Sequence, residues 1–169
     1  MTTAEIRTHL KYSTWASTRL LDAAKKLNPD DLTRNVGVSH GSILGTLSHI
    51  HFADRIWYSR VADPNEPVIR ESDLATLEKE WPAIQRKWET WAEGLQDADL
   101  RRMVATKSMD GIPYQVATEK VVLHLVNHDS LHRGQVMGMI RQLGIAPPPT
   151  DLMMYYRLTA AEGGLEARR

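Results

Sequence analysis

The chain has 169 residues, 42% of them hydrophobic, with 21 basic side chains balanced by 21 acidic ones. That length fits one domain over residues 1–169 with a substantial core, and zero formal charge excludes the field that draws a protein to nucleic acid or anionic lipid. There is no cysteine, which excludes disulfides and Cys-ligated metal sites, leaves His, Asp and Glu as ligands, and requires any reacting thiol to arrive on a second molecule.

Four long helical patterns follow in order. The first spans about Thr3 to Leu27, where Ile6, Leu10, Trp15, Leu20, Leu21, Ala24 and Leu27 recur near the 3.6-residue period, and Asn28-Pro29 ends it. The second spans Ser42 to Val61, with Gly41 before it and Asp63-Pro64 as a stop. A third begins at Ser72, read as a cap, and continues to Leu95, with a kink or late start expected at Pro82. In the segment after it, Met103–Thr106 is a candidate strand and Asp110-Gly111 a hairpin turn. The fourth helix is expected from Tyr114 to Leu143, stopped by Gly144 and Pro147–Pro149. Thr150-Asp151 then caps a short C-terminal helix through Arg157, and the last residues are expected to fray. The fold class is all-α: a four-helix bundle, with a possible small β-hairpin between helices 3 and 4 and the short C-terminal helix.

No 18-residue apolar run occurs, and MTTAEIRTHLKY has no apolar leader segment, so a cytoplasmic protein without membrane or nucleic-acid partners is expected. The five tryptophans are expected in the core or at a subunit contact, and Met109, Met137, Met139, Met153 and Met154 as packing.

The chemistry lies in the fourth helix. His124, His128 and His132 recur every four residues in LHLVNHDSLHRGQV, on one helical face and about 6 Å apart along the axis. Imidazoles at that spacing converge on a metal ion. The outer two stand roughly 12 Å apart, so one adjacent pair binds, completed from another segment. Several imidazoles in an apolar helix each need a partner, and a cation satisfies several at once. The second helix offers His49 and His51, about 200° apart around the axis, so only one faces a given site. That helix is apolar nearly all round, and its wheel does not choose between them. His9 and His40 have no such spacing and read as surface or cap residues. Arg133 is read as pairing with a carboxylate such as Asp54 to fix the two ligand helices, and Gly134 as allowing a close helix approach.

Taken together, LKYSTWASTRLLDA, GSILGTLSHIHFADRIWYSR, HLVNHDSLHRGQV and RQLGIAPPPTDLMMYY resemble the DinB-like (DinB/YfiT) metalloenzymes over nearly the whole chain. The resemblance implies a bundle whose divalent ion, zinc or nickel, is held by His49, His128 and His132, with His124, Arg133 and Asp54 around that set. It further implies a homodimer acting on a small-molecule substrate. The implied activity is a metal-dependent S-transferase using a low-molecular-weight thiol in detoxification or stress response. The alternatives are a metal-dependent hydrolase and a stress-induced metal-binding or interaction protein without turnover.

Overall fold

The computed structural model describes residues 1–38, 40–108 and 110–166, with side-chain surroundings through Ala160. Ser39, Met109 and the chain's final three residues lie outside this set. The elements are α1 (Thr3–Ala24), α2 (Pro29–Thr33), α3 (Ile43–Val61), α4 (Leu74–Glu93), a 3₁₀ turn (Asp99–Arg101), β1 (Met103–Lys107), β2 (Pro113–Ala117), α5 (Thr118–Gln142) and α6 (Leu152–Glu166).

Side-chain caps set most helix starts. A reciprocal capping box, Thr2 with Glu5, opens α1. Asn28 ends the approach from α1 and caps the single turn α2, with Pro29 at its first position. Ser42 caps α3 through the Gly45 N–H at 3.0 Å. The cap of α4 is Asp73, not Ser72, through the Thr76 N–H at 2.8 Å. Pro82 lies inside α4, and the start at Leu74 is not delayed by it. Asp151 accepts from the Met153 and Met154 N–H groups to start α6, which runs past the expected end at Arg157 to Glu166. Gly144, at φ 77°, follows α5 in the left-handed conformation of a helix C-terminus.

The fourth long helix begins at Thr118 rather than Tyr114. Residues 113–117 pair antiparallel with β1 in the register Met103↔Ala117 to Lys107↔Pro113. The β-prone Tyr114 and Val116 find a partner strand across the Gly111 turn, and that pairing overrides helix extension. The Thr118 N–H and hydroxyl both then bond the Arg102 carbonyl, ending the strand and starting the helix.

In the bundle α3 packs on α5 and α4, and α1 packs on α4 and α5, so α1 and α3 are diagonal to one another. The core contains Leu10, Leu20, Leu47, Ile50, Leu77, Trp81, Ile84, Trp88, Leu125 and Ile140, all nearly inaccessible. Trp15, Trp57 and Trp91 are half-buried against it. Two indoles tie α4 to α3: Trp81 Nε1 donates to Asp54 Oδ2 at 2.7 Å and Trp88 Nε1 to the Asp54 carbonyl at 3.0 Å. Buried Glu66 meets Arg55 at 3.1 Å and Lys87 at 2.6 Å, clasping the α3–α4 connection onto both helices. Gly134 is exposed, and a Cβ there meets nothing within 4 Å, so it does not mark a close helix contact. Among the described residues no helix is long and apolar enough to cross a membrane.

Candidate metal centre

Both histidines of α3 are used, on opposite sides. Because α3 packs on α5 with one face and on α4 with the other, nearly all of its positions are buried or half-buried and only Arg60 is exposed, which explains its largely apolar pattern. His49 turns toward α5, where its Nε2 is 3.0 Å from His128 Nε2. His51 turns toward α4: it is fully buried, its Nδ1 is 3.0 Å from Ser72 Oγ, and its ring lies 6.5 Å from that of Trp81. Its Nε2 has no hydrogen-bond partner among the described residues. Ser72, expected as a helix cap, is instead held in the core by His51 and by Ser48, whose Oγ accepts its N–H at 2.8 Å.

The rings of His49, His128 and His132 gather closely. Centroids are 4.9 Å apart for His49–His128, 4.6 Å for His49–His132 and 4.4 Å for His128–His132, and the planes cross at 49°, 73° and 61°. His124 continues the stripe one turn away, 5.7 Å from His128, with its edge against Trp57. Trp57 therefore lies beside the histidine stripe, and Arg60 covers its ring at 4.6 Å.

A fourth imidazole joins the cluster from outside the helices. His40, expected as an ordinary surface or cap residue, stacks on His49 with centroids 3.6 Å apart and planes 19° apart, and lies 5.3 Å from His132. His40, His49 and His132 each place one nitrogen within 4.8 Å of the others, close enough to hold a metal ion. A Cβ on Gly45 would lie 2.3 Å from the His40 carbonyl oxygen, so only glycine lets this loop rest on the first turn of α3. No helical spacing signals His40, because it reaches the site from a loop. His9, by contrast, bonds the Glu5 carbonyl within α1.

Polar groups brace the cluster from behind. His132 Nδ1 is 2.8 Å from Gln135 Oε1, a contact in which Nδ1–H donates and which directs the ring's opposite nitrogen inward. His128 Nδ1 faces Asp129 Oδ1 at 3.5 Å. Asp129 Oδ2 accepts from Ser13 Oγ at 2.9 Å, and Ser13 Oγ accepts from Arg133 Nη1 at 2.9 Å. Arg133 is buried, meets Asp129 at 3.9 Å and bonds Ser17 and Ser130. It therefore does not pair with Asp54 as expected: it fastens α5 to α1, while Asp54 serves α4. Asp129 had no signal in the spacing, since neighbouring residues on a helix point about 100° apart.

Charge in this region is suppressed. Burial lowers the pKa of His49 to about 4, helped by the mutual repulsion of protonated His40, His128 and His132. Burial likewise lowers His40, His124 and His132, in His132 against the hydrogen bond to Gln135. Burial also raises the Asp54 carboxyl well above the usual range, reinforced by Asp129 and opposed by Trp81 and Arg133. Neutral imidazoles are the protonation state a metal requires. A cavity of about 720 Å³ opens beside His40 and His49 and extends along Ser42, Gly45 and Ser48 to the segment Arg70–Asp73 and Thr76.

The DinB family model matches residues 1–167. The protein named DinB of Bacillus subtilis (strain 168) is 23% identical over 161 residues, covering 90% of this chain and 94% of its own. The crystal structure of a DinB-like protein from Bacillus cereus ATCC 10987 superposes with a TM-score of 0.60 at 21% identity, covering 82% of this chain and 91% of that one. A family match running from the first helix through the histidine cluster to the last, on a bundle with the same fold, makes this chain a member of the DinB family.

Proposed function

We propose that this chain is a metal-dependent enzyme that transfers a low-molecular-weight thiol onto a small electrophile, with His49, His128 and His132 as ligands to zinc or nickel. The observation that carries the reading is the meeting of three imidazoles from two helices, one of which, His49, also lines a cavity. The donor set fits such an ion. A tetrahedral site with bonds of about 2.0–2.1 Å sets ligand nitrogens about 3.3 Å apart, close to the 3.0 Å between His49 and His128.

The stacked pair His40 and His49 does not fit this way. Each imidazole lone pair lies in its ring plane, and two rings stacked with centroids 3.6 Å apart and planes 19° apart do not aim their lone pairs at one nearby point. The choice of His128 as a ligand comes from the family resemblance and is supported by this stacking, although it is His40, not His128, that joins His49 and His132 in the set of nitrogens within 4.8 Å of one another. His40 is instead a neutral imidazole over the site, able to take up a proton.

When bound, a divalent ion with three protein ligands keeps a position for substrate and lowers the pKa of a thiol or water placed there. Gln135 and Asp129 fix the ligand rings, and the α3–α5 seam limits water on the ligand side. In the transfer, the thiol S–H proton passes to His40 and on to solvent. The sulfur lone pair forms the new S–C bond, and the leaving group departs with the electron pair of its C–X bond.

Elemental analysis of untagged protein tests the site. About one zinc or nickel per chain is expected, lost in His128→Ala and kept in His51→Ala; loss in His51→Ala alone would overturn the ligand set. Gln135→Ala is expected to weaken metal affinity roughly 10- to 100-fold, read by competition with a chelating dye. Consumption of a model electrophile should need both metal and thiol. Turnover with water alone would support the hydrolase instead.

A further inference from the structure

Among the described residues the cavity beside His49 has one Arg or Lys in its lining, Arg70. The buried arginines of the bundle are committed: Arg55 to Glu66, and Arg133 to Asp129 and Ser13. Arg70 is exposed and has no carboxylate within ion-pair reach among the described residues, although Glu71 and Asp73 line the same cavity. Asp73 is occupied as the cap of α4. The guanidinium is held in place all the same, with its Cζ 5.6 Å above the Phe52 ring centre, a cation–π contact that costs it none of its hydrogen-bond donors. Phe52 in turn lies 6.4 Å from the His49 ring, so one aromatic side chain joins the unpaired cation to the imidazole cluster.

A guanidinium that is placed but unpaired, in the wall of a cavity that ends at a candidate metal site, matches a planar anion at the far end of the molecule bound there. We infer that the thiol cosubstrate carries a carboxylate, and that Arg70 anchors it while the sulfur reaches the histidines. This rests on the thiol-transfer reading above. A carboxylate suits the site better than a phosphate: one guanidinium neutralises a single charge in fork geometry, and the repulsion from Glu71 and Asp73, which any anion meets here, is greater for a dianion.

The test uses protein loaded with one cobalt(II) per chain, titrated with two carboxylate thiols, 3-mercaptopropionate and 6-mercaptohexanoate. Their neutral counterparts are 3-mercaptopropan-1-ol and 6-mercaptohexan-1-ol. Sulfur-to-cobalt charge-transfer absorption reports binding. For at least one chain length the acid should bind roughly tenfold more tightly than the alcohol. That preference should fall toward unity in Arg70→Ala and be partly kept in Arg70→Lys, with alcohol affinity unchanged in both. Circular dichroism and cobalt content verify that the variants are folded and loaded. Equal affinities for acid and alcohol in the wild type, with clear bands for both, would overturn the anchor and leave the thiol-binding site standing. An acid preference that survives in Arg70→Ala would assign it to the ion's own charge and also overturn the anchor. No band with any of the four thiols would overturn the thiol reading and this inference with it.

Discussion

At the scale of single residues, the two histidines of α3 illustrate how burial sets chemistry. His51 is walled in by Ser72 and Trp81, and its pKa is lowered to about 4, first by burial and then by the nearby Arg55 charge, against Glu80. The unfolded chain therefore takes up this proton first as pH falls. The associated stability is fully present above about pH 6.5 and is lost as pH drops toward 4. At about 1.36 kcal/mol per pH unit the full loss is about 3 kcal/mol. Urea unfolding of metal-free protein should show most of that decrease between pH 7 and 4.5. His51→Gln should have a flatter profile, while His49, lowered to a similar value, keeps part of the slope. An unchanged slope in His51→Gln would contradict the account. The 49/51 spacing made clear that only one of them faces the site. The choice between them came through the family resemblance, because a helix covered on two faces gives the wheel no polar side to exclude.

At the scale of elements, helix starts and stops were largely legible, since caps are local: Ser42, Asp151 and Gly144 each act within a few residues of chain. Two of the misreadings involve partners well separated in sequence. Tyr114–Ala117 became a strand because β1 was there to pair with, and Ser72 was drawn from the cap into a bond with His51. Two glycines give opposite predictions. Gly134 is exposed within α5 and nothing would meet its Cβ, so Gly134→Ala should stabilise by about 0.5–1 kcal/mol through helix propensity, measured by chemical denaturation. Gly45 lies against the His40 carbonyl, and that contact is with backbone that cannot swing aside. Gly45→Ala should cost about 1–3 kcal/mol and displace His40 from His49, which the imidazole NMR shifts of His40 would report.

For the whole molecule, the proposed ligands join α3 to α5 across the bundle seam, so ion binding stabilises the folded state against a chain in which the three imidazoles are far apart. At a free metal concentration about 100 times Kd the gain is about 2.7 kcal/mol, or roughly 5–10 °C in Tm for a chain of this length. Calorimetry should show that rise on adding zinc or nickel, its absence in His128→Ala, and its reversal by chelator. A Tm insensitive to metal would place the histidines outside any specific ion site.

Local chemistry alone carried the helical class, the four long helices, most of their ends, the absence of thiol ligands and the periodic histidine stripe of α5. These depend on residue types and spacings within a turn or two, where backbone geometry is already set. The tertiary packing alone decided that His40 completes the cluster from a loop, that Arg133 braces α5 against α1 while Asp54 serves the indoles of α4, and that Asp129 stands behind His128. Each of those depends on the register in which one element lies against another. That register is set by the summed fit of many side chains across the core, and no short stretch of chain records it.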